Sequence, residues 1–197
     1  MTIVMQMHWP EVSTEQYHQA REVVGWETDR PAGARLHVAW MADDGFHVWD
    51  VWDSAEQFNT FVENRLQPGV AQVGIDGQPK VEIVPCHAHQ VEQMPGAGGV
   101  VEVDMIPTEA YDALRGQVDW VTVPPVGGIA HIAAEVGDGM LQTLSVWTTP
   151  AAHHTFEDER LVPGAQALGM ELPPEDEPTV FHPLIRLYDA VGARAGG

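Results

Sequence analysis

Between Arg35 and Trp52 the chain alternates apolar and polar positions on either side of one turn signal. The first run is Arg35-Leu36-His37-Val38-Ala39-Trp40-Met41. Asp43-Asp44-Gly45 follows, and then Phe46-His47-Val48-Trp49-Asp50-Val51-Trp52. Two period-two runs flanking an Asp/Gly turn predict a β-hairpin. Pairing Met41 with Phe46 sets Ala39 against Val48, His37 against Asp50 and Arg35 against Trp52. Successive side chains leave a strand on opposite faces. One face of the hairpin therefore carries Leu36, Val38, Trp40, Trp49 and Val51. The other carries Arg35, His37, Ala39, Met41, Phe46, Val48, Asp50 and Trp52.

The flanking patterns predict the remaining elements. Residues 2–8 read as a strand ended by Trp9-Pro10. Ser13 or Thr14 starts a helix whose apolar stripe is Tyr17, Ala20, Val23 and Val24. Ser54 starts a second helix, with Phe58, Phe61, Val62 and Leu66 on one side and Pro68-Gly69 at its end. Residues 80–84 form a last strand, which gives the order β-α-β-β-α-β.

The chain then repeats this order. At a shift of 94 positions, Thr14, Glu15, Tyr17, Arg21, Val24 and Trp26 recur as Thr108, Glu109, Tyr111, Arg115, Val118 and Trp120. Gly33 and His37 recur as Gly127 and His131. After one insertion, Val51-Trp52, Thr60-Phe61, Arg65-Leu66 and Pro68-Gly69 recur as Val146-Trp147, Thr155-Phe156, Arg160-Leu161 and Pro163-Gly164. Such agreement marks an internal duplication. The second half is expected to form elements over 100–106, 108–119, 129–147, 149–161 and 179–187. Its hairpin places Glu135 against Leu141, Ala133 against Thr143, His131 against Ser145 and Ile129 against Trp147. The expected organisation is a first repeat over 1–90, a Gly/Pro-rich linker over 91–99 containing Gly96-Ala97-Gly98-Gly99, a second repeat over 100–190 and a flexible tail over 191–197.

The βαββαβ order is the ferredoxin-like unit. With the stretches Gly45–Phe58 and Arg65-Leu66-Gln67-Pro68-Gly69-Val70, it resembles the dimeric α+β barrel superfamily, here in tandem on one polypeptide. The resemblance covers nearly the whole chain twice. It implies an α+β fold of two ferredoxin-like repeats packed sheet to sheet as an intrachain pseudo-dimer. The chain would then act as a monomer or pair further as a homodimer. The superfamily contains cofactor-free monooxygenases, lactone isomerases, polyketide cyclases, haem-dependent enzymes and small binding proteins, so the fold alone selects no chemistry. In this arrangement the Leu36/Val38/Trp40/Trp49/Val51 face is expected to lie under the helices. The His37/Asp50 face is expected to look into the space between the sheets.

Composition narrows the partners. The 197 residues carry 29 acidic and 9 basic side chains, a formal net charge of −20. Such a surface repels phosphate backbones and anionic membranes, so neither nucleic acid nor a membrane is an expected partner. Cys86 is the only cysteine, which excludes an intrachain disulfide. With no leader-like start and no long apolar run, a cytoplasmic location is expected.

Candidate chemistry centres on His37 and Asp50. A carboxylate opposite an imidazole holds one tautomer and favours its protonation, which suits a general base or acid. The alternative is a structural pair satisfying two buried polar groups. In the second half His131 recurs, but Ser145 replaces the acid. Arg35, Met41, Phe46, Val48, Trp52, His131, Ser145 and Trp147 are the candidate ligand-binding residues. Their aromatic and apolar character suits a flat hydrophobic molecule. The favoured function is a cofactor-independent enzyme, of isomerase, cyclase or cofactor-free monooxygenase type, acting on an aromatic or polyketide-like compound. A non-catalytic binding protein is the alternative. Haem held by His8, His37, His131 or His182 is a third option. Cys86-His87-Ala88-His89, with His8 or His47 as a further ligand, and His153-His154 with Glu157-Asp158 carry metal-ligand residue types. Neither stretch has a ligand set fixed by spacing, and no metal or cofactor is expected.

Overall fold

The computed structural model describes residues 1–94, 98–170, 178–192 and 194–196. Pro95, Gly96 and Ala97 of the expected linker lie outside the described residues. The chain divides into two compact units, one of residues 1–86 with 183–197 and one of residues 87–182.

In the first unit, β1 (Ile3–Trp9) leads to α1 (Thr14–Val24), then to β2 (Ala34–Ala42) and β3 (Gly45–Trp52). The Ser13 hydroxyl accepts from the Gln16 N–H, and the Gln16 side chain accepts in return from the Ser13 N–H, so α1 starts at one residue. It ends at Gly25, whose φ of 64° is the left-handed conformation that turns the chain back over the sheet. The second helical segment is continuous but changes pitch. It runs as α2 (Ala55–Phe61), a π-helical stretch over Val62–Leu66 and α3 (Gln67–Val73). The wider turn lets Arg65 reach the C-terminal end of α1, where its guanidinium donates to Val24 O at 2.6 Å and to Asp29 O at 2.6 Å. β4 (Lys80–Val91) pairs antiparallel with β1. β1 pairs with β3, and β3 with β2.

The other edge of β2 is covered by residues from the far end of the chain. In β8 (His182–Asp189), Leu187 pairs with Val38, Tyr188 with His37 and Asp189 with Leu36. Arg194–Gly196, within the expected tail, forms β9, which pairs with β8.

The second unit holds the end of β4 with β5 (Val100–Pro107), α4 (Thr108–Val118), β6 (Gly128–Gly137) and β7 (Met140–Trp147). α5 (Pro150–Phe156), a π-helical stretch over Glu157–Leu161 and α6 (Val162–Ala167) follow. β6 pairs with β7, and β7 with β5. Arg160, at the position of Arg65, donates to Val118 O and, at 2.7 Å, to Val123 O.

Two expectations are corrected. The hairpin register holds from Met41↔Phe46 to His37↔Asp50, but a bulge after Ala34 puts Ala34, not Arg35, opposite Trp52. The same bulge in the second unit pairs Gly128, not Ile129, with Trp147. The faces are also the reverse of those expected. Ala39, Phe46, Val48 and Trp52 form one buried cluster with Tyr17, Ala20 and Val24 of α1 and Phe58 and Phe61 of α2. The helices therefore cover the His37/Asp50 face, and the Leu36/Val38/Trp49/Val51 face turns away from them. Apolarity misleads here because a helix-covered face can hold a polar pair if the helix supplies the partner that satisfies it. Tyr17 is that partner.

Candidate functional site

His37 and Asp50 face each other across β2 and β3, with Nδ1 2.7 Å from Asp50 Oδ1. Asp50 is 4% exposed. A buried carboxylate accepts only, so His37 Nδ1 carries the proton and Nε2 presents a lone pair. Tyr17 closes the chain from α1. Its Oη donates to His37 Nε2 at 2.8 Å, and the two rings lie 7° from parallel. Burial, above all, pushes the Tyr17 phenol well above its ordinary value; Arg21 opposes the rise, and the Asp50 and Glu27 charges add to it. Tyr17 therefore stays a proton donor at neutral pH.

The turn at Gly25 drops Trp26 onto this group. Its ring lies 5.4 Å from His37 and meets Trp52 and Phe61 edge-on. The next residue, Glu27, receives a bidentate pair from Arg186 on β8 at 2.8 and 2.6 Å and a weaker bond from Arg21 at 3.3 Å. Burial works against the Glu27 charge, but the Arg186 hydrogen bonds and charge prevail and hold its carboxyl below the usual range.

A cavity of about 90 Å³ lies against this constellation, between the sheet and α1 and α3. Tyr17, Arg21, Glu27, His37 and Asp50 supply its polar wall, and Met5, Met7, Trp9, Trp26 and Phe46 much of its apolar one. The Nε1–H groups of Trp9 and Trp26 are buried and without a hydrogen-bond partner among the described residues.

The expected residues distribute as follows. His37, Asp50, Phe46 and Val48 line the cavity. Trp52 is fully buried behind it, against Trp26, and Met41 packs at the edge of the same cluster. Arg35, displaced by the bulge, pairs instead with Asp53 at 2.5 Å and does not line the cavity. His131, Ser145 and Trp147 belong to the second unit and do not line it either. Tyr17 and Trp26, which the sequence marks as structural helix-packing residues, and Glu27, which it does not single out, also line the cavity. Their signal was there, since Tyr17 and Trp26 recur as Tyr111 and Trp120 at a fixed distance from the recurring histidine.

The second unit repeats the geometry without the acid. Tyr111 Oη lies 3.1 Å from His131 Nε2, and His131 Nδ1 lies 3.1 Å from Ser145 Oγ. The ring is walled by Tyr111 and Trp120. Burial drives its pKa down to about 4, with Glu102 opposing and Arg115 assisting. A carboxylate does occur here, one strand over. Glu102 on β5 is Cα partner to Ser145, as Met5 is to Asp50. It accepts from Trp147 Nε1 at 3.3 Å and lies 2.8 Å from His153 Nε2. Burial disfavours the charged form of His153, but its hydrogen bond to Glu102 and the surrounding acids prevail and raise its pKa. The first unit has Phe58 where the second has His153. The neutral His131 and the ion-paired His153 thus divide what His37 and Asp50 combine.

Both ring nitrogens of His37 and of His131 are engaged, so neither can ligate an iron without losing a hydrogen bond. His87 pairs with Asp112 at 2.8 Å and with Glu135 at 3.4 Å. His153, His154 and Glu157 bring ligand atoms within 4.8 Å of one another, as do His8, Asp44 and His47.

No family model and no curated protein matches the sequence. Solved structures do match. A candidate monooxygenase from Lactobacillus acidophilus superposes with a TM-score of 0.67 over 100% of this chain and 96% of its own, at 9% identity. A second candidate monooxygenase, from Fusobacterium nucleatum, gives 0.63 over 93% and 90% at 12% identity. An anthrone oxidase-like protein gives 0.53 over 96% and 93% at 14% identity. At these identities the likeness speaks to the fold, which is that of the dimeric α+β barrels. Among the described residues no helix is long and apolar enough to cross a membrane.

Proposed function

We propose that this chain is a cofactor-independent enzyme that binds a hydrophobic, aromatic or polyketide-like small molecule in its first unit and acts on it by acid–base chemistry. The observation that carries the proposal is the Tyr17–His37–Asp50 hydrogen-bonded chain on the wall of a cavity whose remaining lining, Arg21 and Glu27 apart, is apolar. Asp50 is a positioning residue: it holds the Nδ1–H tautomer and stabilises the imidazolium that forms. His37 is the base. An acidic C–H or O–H of the bound compound gives its proton to Tyr17 Oη as the Tyr17 proton moves to His37 Nε2, and the reverse transfer returns a proton to another atom of the product. Isomerisation, cyclisation and cofactor-free oxygenation all begin with such a removal. The unpartnered indole N–H groups of Trp9 and Trp26 favour a compound bearing acceptor oxygens. The names of the structural neighbours, two candidate monooxygenases and an anthrone oxidase-like protein, accord with the oxygenation branch.

Size bears on the ligand. The cavity, about 90 Å³, is smaller than the roughly 150 Å³ space that accepts benzene. A ring therefore enters only as the lining relaxes, and Met5 and Met7 are the unbranched side chains able to yield. The same observation favours a second reading, a binding protein that encloses a ligand without turning it over. We further propose that the chain is a duplicated pseudo-dimer that acts alone or as a homodimer, with repeats over 1–90 and 100–190, and that it works in the cytoplasm.

The test begins with mass spectrometry of compounds that co-purify with the protein. The compound found is then incubated with wild type, His37→Ala and Asp50→Asn. Turnover by wild type that falls by at least about 100-fold in His37→Ala, with the compound still bound, is the expected result. Turnover unchanged in His37→Ala refutes the acid–base assignment. Binding without turnover in wild type selects the second reading.

A further inference from the structure

On the face of the first sheet that turns away from the helices, the register sets His8 of β1 directly opposite His47 of β3, and Trp40 of β2 opposite His47 on its other side. The three rings form a stack. His47 lies 4.4 Å from His8 at 13° and 5.1 Å from Trp40 at 14°. The stack aims both Nε2 atoms at one residue of the two-residue turn. His47 Nε2 lies 2.9 Å from Asp44 Oδ1, and His8 Nε2 lies 3.5 Å from Asp44 Oδ2 and 3.0 Å from Asp44 O. The group is open to solvent, with side-chain exposures of 29% for His8, 20% for His47 and 64% for Asp44.

We propose that His8, His47 and Asp44 form a binding site for a divalent transition-metal ion of the zinc, cobalt and nickel class. Two imidazoles and one carboxylate are the donor set these ions prefer, and three protein ligands leave a position for water or another donor. Ligands at about 2.1 Å from a tetrahedral ion lie about 3.4 Å apart. The three ligand atoms already lie within 4.8 Å of one another, so side-chain rotation suffices to close them. Trp40 backs the His47 ring and so restricts the rotation that would otherwise lower affinity. The neighbouring cation, Lys80, sits opposite His8 on β4, but its ammonium pairs with Glu82 at 2.8 Å. The net charge of −20 further favours a cation. Among the described residues the feature belongs to the first unit alone. The second unit has Met105 opposite Gln142 at the corresponding positions, and neither supplies such a ligand. The site faces away from the cavity and does not depend on the chemistry proposed there.

The experiment uses the full-length protein stripped of metal by chelator. Zinc and cobalt ions are titrated in separately, with calorimetry for both and visible absorption for cobalt. The expected result is one equivalent bound with micromolar or tighter affinity, with cobalt d–d bands and release of protons to the buffer. His47→Gln and Asp44→Asn each weaken binding by at least about tenfold. His154→Gln, which disables the cluster on α5, leaves it unchanged. Circular dichroism establishes that each variant is folded. Absence of stoichiometric binding by wild type, binding that survives in a His8→Gln/His47→Gln double variant, or binding lost in His154→Gln overturns the proposal.

Discussion

Replacing Ser145 by Asp transplants the acid of the first unit into the second, and its effect can be worked out beforehand. His131 is held near a pKa of about 4, against 6.5 in an unfolded chain, and burial is the largest cause. Because the folded value is the lower, the unfolded chain takes a proton that the folded chain refuses as pH falls. His131 costs nothing above about pH 6.5, and its penalty grows between there and pH 4. At 1.36 kcal/mol per unit the full loss is about 3 kcal/mol. A carboxylate at Ser145, whose Oγ is 3.1 Å from His131 Nδ1, favours the imidazolium by roughly 1 to 3 units. In Ser145→Asp the acid loss should shrink to about 2 kcal/mol or less, or vanish. Urea unfolding followed by tryptophan fluorescence at pH 7.5, 6.5, 5.5 and 4.5 measures it. The quantity compared is the slope of stability against pH, because the new carboxylate near Glu102 lowers absolute stability. Ser145→Asn, which has no charge, should keep the wild-type slope. Equal slopes for the Asp and Asn variants would refute the account of His131.

Substitutions at three further positions test other parts of the structure. Tyr17→Phe removes the bond to His37 Nε2 and should cost about 1 kcal/mol, read as a lower urea midpoint with unchanged m-value. Arg65→Ala frees the carbonyls of Val24 and Asp29 and should cost about 2 kcal/mol in thermal or urea unfolding; Arg65→Lys should recover less than half, because an ammonium cannot span both acceptors. Gly45→Ala would place a Cβ 2.5 Å from Pro10 Cα at a φ of 129°, and should cost at least about 2 kcal/mol in the same assay.

The alternation from Leu36 to Val51 gave the hairpin, its turn and the His37–Asp50 pairing, because period-two patterning and turn chemistry are local. The bulge at Arg35 was not legible, since nothing in Ala34-Arg35-Leu36 marks a residue that will drop out of register. The direction of each face was misjudged for a non-local reason. Leu36, Val38 and Val51 are the more apolar set, yet the face under α1 is the one where Tyr17 satisfies a half-buried histidine. That bond joins residues 20 positions apart on different elements, and neither element's periodicity records it. The same limit hid the ion pair of His153, which alignment placed at the position of core Phe58. Glu102 stands on another strand, at the position of Met5, so the compensation is visible only once β5 lies beside β7. The convergence of His8 and His47 follows from the β1–β3 register, and the sequence fixes only the β2–β3 one.

The covering of β2 by β8 has a consequence for the order in which the protein takes shape. β5, β6 and β7 lie close together in the chain, so they can pair with one another as soon as they leave the ribosome. β2 cannot complete its pairing so early. Leu36 finds Asp189 only after nearly the whole chain has been made, and closing so long a loop is slow. Until then β2, with His37 on it, is paired on one side only, with β3, and its other edge stays open. A nascent chain stalled short of residue 183 would lack β8 and leave that edge of β2 bare.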